Sequence, residues 1–488
     1  MESILTSKGY SVVKAGLTAE QTRRIQEELK VAPKMNAKFA TKAAVEAATF
    51  KLYRESPTRW YLPRAWAEKE FGPPAQSLVP EGLDLRPELA FKGAPYDYQE
   101  AIMASFIHAG ANGLICVPCG KGKTFMALGI AARIGKRFLV IVDKEFLMNQ
   151  WRGEMEALIP GLRVGIIQGP KRETDPAAYD CTICMIQTLC SQEFAEDIFR
   201  QYGFAIFDEC HHLGAQHFSR TLQRVQTAKM LGLSATPTRE DGLTKVFTWF
   251  LGEPVYWEKT REPDPTVEVR AVYIKSDDPV YNTIPTDWKG EPVMAQLLGN
   301  ILSCQKRAAE ILRWIRLMCA EPARRVLVLS ERKGLLENLE GLIKAADPTL
   351  TVSYYVGGMK EEIREAGAAT ARILLGTYAM ASEAMNIKTL NTVILASPRK
   401  AIEQSTGRIL RIRPDQRQVP PIIIDIIDTH SMYQGQWRKR LTYYRKCTYN
   451  VERWEMGATT GTVYGGSSKG GARSEAPALA LGTCLIED

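Results

Sequence analysis

The stretch LICVPCGKGKTFMALGI, residues 114–130, passes from an apolar strand-like run through a glycine-rich turn into a helical pattern. Gly120 and Gly122 lack a side chain, so backbone N–H groups in the turn can approach phosphate oxygens closely. The helix that follows directs the positive end of its dipole at the same anion. The stretch therefore predicts a nucleotide-binding turn after a strand of an α/β sheet.

Side chains of this turn suit the chemistry of a nucleotide. Lys123 can reach the outer phosphates, Thr124 can supply a hydroxyl group to Mg²⁺, and Lys121 adds a second positive charge. The usual first glycine is replaced by Val117. The turn predicts nucleotide binding, but it does not say what the nucleotide is used for.

A pair of acidic residues, Asp208 and Glu209, follows the apolar run FAIF at residues 204–207. A carboxylate at the carboxyl end of a neighbouring strand can anchor a metal that is bound to phosphate, and an adjacent Glu can orient the attacking water. An acidic strand end without function is the alternative for this string alone. The phosphate turn upstream argues against that alternative.

Short apolar runs alternate with helical patterns through the middle of the chain, which is typical of parallel strands with crossover helices. The first series has strand-like runs at residues 114–117, 138–142, 164–167, 182–186, 204–207 and 230–234. The second has runs at residues 272–275, 326–330, 352–356, 373–376, 393–396 and 422–427, with amphipathic helices predicted at 301–318 and 334–344. The predicted fold class is α/β, with two tandem parallel-sheet lobes.

Composition shifts divide the chain into five predicted segments. Residues 1–94 form an N-terminal accessory module, 95–256 the first lobe and 298–430 the second lobe. The proline-rich residues 257–297 between the lobes are predicted to be a connection with an insertion. Residues 431–488 are a basic, aromatic extension with a tail rich in Gly and Ser, which is predicted to be flexible.

Among the 488 residues, 24% are charged and 45% are hydrophobic, which excludes wholesale disorder. The net charge of +8 suits a polyanionic partner, although a solvated surface explains it equally well. No run is apolar enough to span a membrane, and the first residues lack the apolar core of a signal peptide. We therefore expect a soluble, intracellular protein with no membrane partner.

Two CxxC pairs, Cys116 with Cys119 and Cys181 with Cys184, invite a zinc interpretation. Each pair is embedded in a strand-like run, and the first overlaps the phosphate turn, whose geometry leaves no tetrahedral site. We interpret these cysteines as reduced residues without a metal.

The segment QSTGRILR, residues 404–411, supplies arginines from the second lobe. Arg408 and Arg411 are three positions apart, so on a helix they would share a face that could close onto the first lobe. Arginines offered by a mobile neighbour stabilise transition-state charge in phosphoryl transfer. In isolation this string would be a solvated basic helix face, and the other motifs favour the functional interpretation.

The ordered motifs of the chain resemble those of the superfamily 2 helicases and translocases with a DExH box. They are YDYQ (96–99), LVIVDKEFLMNQW (139–151), IQTL (186–189), DECH (208–211), LGLSATPTREDGL (231–243), VLVLSERKGLLENL (326–339), LLGTYAMASEAMNI (374–387) and IEQSTGRILR (402–411). The triplet Arg239-Glu240-Asp241 is similar to one in the XPB-like DNA-repair branch. The terminal segments further resemble helicases of large double-stranded DNA viruses.

This resemblance implies two RecA-like lobes, ATP and Mg²⁺ as cofactors, and nucleic acid as a partner. The residues that it implies for nucleotide binding are Gln99, at the adenine, and Gly120, Lys121, Gly122, Lys123 and Thr124, at the phosphates; Thr124 and Asp208 are implied to hold the metal. The implied catalytic residues are Lys123, Asp208, Glu209, Gln404, Arg408 and Arg411. Among them Glu209 would be the general base, and both arginines would touch the γ-phosphate.

Further roles follow from the same resemblance. His211 and Gln404 would couple the two lobes, and the residues implied to lie along the nucleic-acid backbone are Thr188, Ser330, Arg332 and Thr377. Contacts to phosphate carry no base information, so binding is expected to be independent of sequence. The N-terminal module is a candidate site for protein partners. The oligomeric state stays open, as does the compartment, which could be the nucleus, a cytoplasmic viral factory or a virion.

Two segments depart from the family pattern. Ala384 stands for a glycine and Asn386 for an aspartate, so Asn386 keeps a hydrogen bond and drops a charge. Tyr96 stands where an arginine is common before the glutamine. The roles of Ala384 and Asn386 are left open.

Cations and aromatic rings alternate in the C-terminal extension. Such a pattern suits phosphate contacts and base stacking. Tyr433, Trp437 and Tyr444 fall on one helical stripe, however, which favours a helix whose aromatic residues pack on the second lobe while its cations are solvated.

The leading hypothesis is an ATP-dependent motor that moves along DNA. An RNA-directed helicase or transcript-release factor is an alternative of the same class, because motifs that grip a phosphate backbone fit either nucleic acid. A nucleotide-gated clamp with little turnover is an alternative of another class, prompted by Ala384 and Asn386. Intact Lys123, Asp208 and Glu209 argue against the clamp.

Replacing Arg408 by Lys tests whether the second lobe completes the nucleotide site. Lysine keeps the charge and removes the planar fork that can bridge two phosphoryl oxygens. We expect ATP affinity to change little, while maximal nucleic-acid-stimulated turnover falls by on the order of 10² or more. Near-normal stimulated turnover in this variant would reject the two-lobe mechanism.

Overall fold

The computed structural model describes residues 2–35, 41–195, 197–259, 262–383, 385, 387–412 and 414–464. The chain forms two compact units that divide after Lys259. Ala384, Asn386 and residues 465–488 of the predicted tail lie outside the described residues. No helix in the described ranges is long and apolar enough to cross a membrane.

The first unit begins with a small sheet of strand order β5-β6-β2-β1-β7. The elements of this region are β1 (Ser3–Thr6), β2 (Gly9–Val13), α1 (Ala19–Glu28), β3 (Lys30–Val31), α2 (Lys42–Ala47), β4 (Phe50–Lys51), β5 (Arg54–Glu55), β6 (Arg59–Leu62), α3 (Arg64–Phe71) and β7 (Gln76–Ser77). Trp60 and Trp66 are buried in a core that continues into lobe 1, where it includes Phe247. Arg64 Nη1 also donates to the carbonyl oxygen of Ala228 at 3.1 Å. The N-terminal module is therefore packed onto lobe 1.

A mainly parallel sheet forms lobe 1, with strand order β11-β10-β12-β9-β13-β14-β8-β15. Its elements are α4 (Asp97–His108), β8 (Asn112–Cys116), α5 (Lys123–Ile134), β9 (Phe138–Val142), α6 (Glu145–Leu158), β10 (Val164–Gln168), β11 (Lys171–Arg172), β12 (Cys181–Met185), α7 (Ile186–Ser191), β13 (Phe204–Phe207), α8 (Gln216–Arg224), β14 (Lys229–Ser234), α9 (Thr244–Leu251) and β15 (Pro254–Trp257). Only the β10–β11 pair is antiparallel. Strand β9 is buried along its whole length, as expected when helices cover both faces of a parallel sheet.

The second unit has a sheet of order β18-β19-β17-β20-β21-β16-β22-β23. Its elements are β16 (Glu268–Ile274), α10 (Pro279–Asn282), α11 (Met294–Ser303), α12 (Gln305–Cys319), β17 (Val326–Ser330), α13 (Lys333–Ala346), β18 (Val352–Tyr355), α14 (Glu361–Thr370), β19 (Ile373–Thr377), α15 (Tyr378–Glu383), β20 (Thr392–Leu395), α16 (Glu403–Thr406), β21 (Ile422–Asp428), α17 (Ser431–Lys446), β22 (Asn450–Glu455) and β23 (Thr462–Val463). Only the β22–β23 pair is antiparallel. The predicted α/β class with two tandem parallel-sheet lobes is confirmed.

This second sheet draws strands from both segments that flank the predicted lobe. Strand β16 lies within residues 257–297, and it pairs in parallel with β21 on one side and β22 on the other. A strand-like run is expected at residues 272–275 inside this proline-rich connection; the structure has the strand over Glu268–Ile274, and its last four residues are all buried. Part of the 431–488 extension is likewise a strand of the sheet.

Two helix predictions need correction. The helix predicted at 301–318 is interrupted at Cys304, whose ψ of 115° is extended and which separates α11 from α12. Arg408 and Arg411 do not share a helix face, because α16 ends at Thr406 and a short 3₁₀ turn, Gly407–Ile409, follows. The sequence Ser-Thr-Gly at this point consists of poor helix formers, which explains the early end.

Two buried acidic residues of β21 depend on arginines from neighbouring helices. Asp428 receives two hydrogen bonds from Arg307 of α12, at 2.8 and 2.9 Å. Asp425 Oδ2 accepts from Arg440 Nε and from the hydroxyl of Tyr444, both on α17 and both at 2.8 Å. Helix α17 is thereby fixed to the sheet.

The aromatic stripe of α17 faces the interior, as its spacing predicts. Tyr433, Trp437 and Tyr444 are buried, whereas Arg438 and Arg445 are exposed. The expectation that this stripe packs on the second lobe is confirmed.

Removing the guanidinium of Arg440 should destabilise the second unit strongly. Arg440→Met leaves the buried Asp425 carboxylate without its positive partner, which we expect to lower the free energy of unfolding by about 3–5 kcal/mol. Denaturant unfolding followed by circular dichroism measures this loss. Arg438→Met, on the exposed side of the same helix, is the control; equal losses in both variants would contradict the role of the pair.

Candidate nucleotide site and nucleic-acid contacts

The turn between β8 and α5 has the geometry of an anion-binding loop. Gly120 and Gly122 have φ of +89° and +81°, a left-handed conformation that favours glycine. A Cβ atom on Gly122 would also lie 2.5 Å from Nε2 of Gln99, so this position needs glycine for two reasons. Since Lys123 is the first residue of α5, the amino end of this helix meets the turn.

The side chain of Gln99 is hydrogen-bonded to the backbone of the turn. It is 5% exposed, and its Nε2 donates to the carbonyl oxygen of Lys121 at 3.1 Å while its Oε1 accepts from the backbone of Tyr96 at 3.1 Å. The hydroxyl of Tyr98 donates to the same carbonyl at 3.3 Å. Gln99 thus connects the first motif to the phosphate turn, and the adenine contact stays a prediction.

An ion pair between Lys123 and Glu209 lies at the centre of the site. Lys123 Nζ is 3.2 Å from Glu209 Oε1. Burial alone would lower the pKa of Lys123, but the charge of Glu209 raises it above its usual range. The ammonium group is therefore kept positive at neutral pH, as phosphate binding requires.

The two carboxylates of the site have different surroundings. Two effects raise the pKa of Asp208: burial is the larger, and the charge of Glu209 is the second. Burial would also raise the pKa of Glu209, but the charge of Lys123 and the interaction with His211 lower it instead. Glu209 has φ of +41°, which turns the chain sharply after β13 and directs its side chain to Lys123. The base candidate is thus the group that is kept ionised.

Trp151 is a residue of this site that sequence reasoning did not identify. Its indole Nε1 donates to Asp208 Oδ2 at 2.8 Å, and the backbone N–H of Glu209 donates to Asp208 Oδ1 at 2.9 Å. Trp151 is the last residue of the motif LVIVDKEFLMNQW, and the sequence alone does not show which residue its side chain contacts. These two bonds orient the carboxylate that is expected to hold the metal.

His211 connects the acidic motif to the next strand end. Its Nδ1 is 3.0 Å from Ser234 Oγ, and this hydroxyl oxygen also accepts from the backbone of Thr236 at 3.1 Å. The backbone oxygen of His211 accepts from Arg239 Nη1. His211 therefore links the acidic motif to the SATP turn and the triplet within the first unit, and coupling between the lobes stays a prediction.

The residues at this site fit a magnesium nucleotide. Glu209 Oε2 is buried with His211 Nδ1 3.4 Å away, and the left-handed glycines shape a turn that phosphate oxygens can approach closely. Lys123 and the turn would hold the phosphates, while Thr124 and Asp208 would hold Mg²⁺. Mg²⁺ commonly binds one or two protein oxygens together with substrate phosphates, which agrees with this small donor set.

The arginine motif lies in the second unit. Arg408 donates to the carbonyl oxygens of Ala381 and Met385, and Arg411 Nη2 donates to that of Met385 at 2.7 Å. The structure therefore brings the two arginines to one carbonyl group, although they share no helix. Gln404 belongs to α16, just before them.

The predicted nucleic-acid contacts lie at or just after the carboxyl ends of strands, and two of them, Thr188 on α7 and Ser330, are buried. In the first unit, Thr188 Oγ1 accepts from the backbone of Gly169 at 3.0 Å. In the second, Ser330 and Thr377 are paired residues at the ends of β17 and β19. Ser330 Oγ accepts from the backbone of Arg332 at 3.1 Å, and the arginine itself is exposed. The three residues of the second unit thus lie along one edge of its sheet.

Comparison with known proteins agrees with this arrangement. A family model for the res subunit of type III restriction enzymes matches residues 92–239. The chain is 30% identical over 457 residues to a protein of Acanthamoeba polyphaga mimivirus named as an ATP-dependent RNA helicase, with 92% of this chain and 86% of that protein covered. It is 32% identical over 209 residues to a protein of Halobacterium salinarum named as the DNA 3'-5' helicase Rad25, which covers 41% of this chain and 32% of that one.

A solved structure shares the fold. The structure of S. cerevisiae Dbp5 bound to RNA and ADP BeF3 superposes with a TM-score of 0.52 at 12% identity, over 74% of this chain and 90% of that one. At this identity the likeness concerns the fold alone, and it supports two RecA-like lobes.

Lys123→Ala tests the phosphate turn. The change removes the cation that faces the outer phosphates while the backbone of the turn is held by Gln99, so we expect ATP hydrolysis to be abolished and the fold to survive. Steady-state phosphate release measures the first and thermal unfolding the second. The exposed Lys92→Ala is the control, and stimulated turnover in folded Lys123→Ala protein would reject this site.

Proposed function

The chain belongs to the superfamily 2 helicases, which hydrolyse ATP with Mg²⁺ and act on nucleic acid, and from this premise we propose that it is a DNA-stimulated ATPase that moves along a DNA strand. The observation that carries the proposal is the Lys123–Glu209 ion pair beside the left-handed glycine turn. A buried ammonium, an ionised carboxylate and a glycine turn at the start of a helix are together suited to binding a triphosphate and activating water.

Glu209 is proposed as the general base. Its pKa is lowered by Lys123 and by His211, whose Nδ1 lies 3.4 Å from Glu209 Oε2. A carboxylate in that state can accept a proton from an attacking water molecule. Asp208, held by Trp151, is proposed as the metal ligand.

Closure of the second lobe is proposed to complete the reaction. Arg408 and Arg411 would leave their carbonyl partners to stabilise charge on the γ-phosphate, as arginine fingers do. Alternation between closed and open lobes would then shift the grip on a strand with each cycle. The residues proposed to contact the sugar-phosphate backbone of that strand are Thr188, Ser330, Arg332 and Thr377.

DNA is proposed as the track on two grounds. The triplet at 239–241 resembles the XPB-like branch, and the Halobacterium relative carries the name of a DNA helicase. RNA is the second candidate, because the mimivirus relative and a relative in African swine fever virus, 28% identical over 353 residues, are named as RNA helicases. The clamp alternative rested on Ala384 and Asn386, which lie outside the described residues, so no structural observation favours it.

Glu209→Gln distinguishes a motor from a clamp. The amide preserves the shape and loses the base, so we expect ATP and DNA to bind while stimulated hydrolysis falls by at least about 10²-fold. Hydrolysis and strand displacement are measured with single-stranded, duplex and forked DNA and with RNA. The exposed Glu156→Gln is the control.

Each outcome of this assay has a clear meaning. Strong stimulation of the unaltered protein by DNA and weak stimulation by RNA supports the proposal. Strong stimulation by RNA and weak stimulation by DNA would instead support an RNA-directed helicase. Equal, slow hydrolysis by the unaltered protein and Glu209→Gln, with and without nucleic acid, would reject the motor.

A further inference from the structure

A cavity of about 380 Å³ lies between the N-terminal module and lobe 1, within the first unit. One wall comes from the turn after β1, with Lys8, and from β5, with Arg54. The other wall comes from the segment that precedes β13, with Arg200, and from the end of α8, with Arg224. We call it the basic cavity, after these four cationic residues.

The basic cavity is separate from the nucleotide site. Tyr202 lines it and lies just before β13, whereas Asp208 lies just after this strand. Gln226 also lines the basic cavity, and it lies just before β14. The other end of β14 contacts the phosphate turn, because the backbone N–H of Val117 donates to the carbonyl oxygen of Ser234. A strand of six residues spans about 20 Å. The basic cavity therefore lies at the amino ends of these strands and the nucleotide site at their carboxyl ends.

Positive charge in the basic cavity exceeds negative charge. Glu193 is the one acidic residue among its described lining residues, and it pairs with Arg224 while its side chain is 95% exposed. Arg54 Nε has a single weak contact, to Gln223 Oε1 at 3.3 Å, and Arg54 has no ion pair among the described residues. Arg200 likewise has no ion pair there. Two guanidinium groups are thus available to an anion.

Repulsion between like charges at Arg54 also indicates that the basic cavity can bind an anion. Although Arg54 is exposed by surface area, desolvation within the cavity and then repulsion from Arg224 lower its pKa, against the smaller opposing effect of Glu193. Grouping like charges around a cavity costs free energy, and a bound anion would recover it. The guanidinium fork is suited to the paired oxygens of a phosphate group.

Aromatic rings beside the cations extend the match to nucleic acid. Phe194 and Phe199 line the basic cavity with ring centroids 5.6 Å apart, and Phe194 carries the guanidinium of Arg172 at 4.7 Å from its ring centroid. Rings next to cations are the pairing that single-stranded nucleic acid uses, through stacked bases and neutralised phosphates.

We propose that the basic cavity is a second phosphate-binding site, which holds the phosphodiester backbone of a nucleic-acid strand at the edge of lobe 1 opposite to the nucleotide site. A free nucleotide or inorganic pyrophosphate offers the same chemistry and is the other source of ligand. Because the N-terminal module supplies half of the cavity, a strand bound there would contact the module and the motor lobe together.

The test compares Arg54→Gln/Arg200→Gln with the unaltered protein. Affinity for a fluorescein-labelled 25-nucleotide single-stranded DNA is measured by anisotropy at several salt concentrations without ATP. We expect binding to weaken at least fivefold at about 0.1 M salt, and the slope of log K against log salt to become shallower by about 1.4, the value for two contacts to single strands. Basal ATP hydrolysis without DNA should not change. Failure of the motor proposal would not affect these binding measurements.

Controls separate this site from general loss of charge. Arg23→Gln/Lys69→Gln removes two exposed charges from the same N-terminal module and should leave both affinity and slope nearly unchanged. Thermal unfolding checks the fold of each variant, and the single variant Arg200→Gln should lose about half of the slope change.

Pyrophosphate distinguishes the two sources of ligand. It is titrated by calorimetry into Lys123→Ala protein, with and without the two arginine substitutions, so that the contribution of the catalytic turn is weakened and is the same in both proteins. Loss of DNA affinity alone supports the nucleic-acid strand. Loss of pyrophosphate binding alone supports a phosphate site for small molecules and overturns the strand. If neither ligand is affected, the basic cavity is not a phosphate site.

Discussion

A lysine ammonium group held away from water needs a negative partner, and the nucleotide site is organised around that need. Lys123 begins α5, which follows β8, and Glu209 follows β13, so their ion pair joins segments that are distant in sequence and whose strands are separated in the sheet by β14. The pair also explains the strained backbone of Glu209, since a left-handed residue there directs the carboxylate inward. Any phosphate that reaches this ammonium group competes with Glu209 for it. If a nucleotide binds as proposed, its binding and the release of Glu209 from Lys123 are therefore linked by charge.

In the second unit the buried charges that need a partner are carboxylates, and the partners are positive. Asp425 and Asp428 are carboxylates within a buried strand, and each is matched by an arginine from a helix on the sheet. Such pairs add little net stability over apolar contacts, but they penalise any packing that leaves one partner alone. They fix α12 and α17 in position, and with α17 comes the strand β22 that follows it.

Local sequence predicts local structure well in this chain, and long-range pairing poorly. Strands β9 and β13 were expected at residues 138–142 and 204–207, where the structure has them, because continuous apolar runs between helical patterns leave little choice. The hydrogen bond from Trp151 to Asp208 could not be expected, since nothing in either segment specifies the other. The sequence indicates a strand at 272–275 in the second sheet, but the pairing of β16 with β21 and β22 and the convergence of Arg54 and Arg200 on one cavity depend on tertiary packing.

The position of β16 has a consequence for how the protein is made. Both neighbours of this strand in the sheet, β21 and β22, come from near the end of the described chain. A ribosome adds roughly 5–20 residues each second, so β16 emerges on the order of ten seconds before its partners exist. The first unit can fold during this time, whereas the second waits with an apolar strand unpaired. Slow translation would lengthen the interval in which molecular chaperones or other nascent chains can bind that strand.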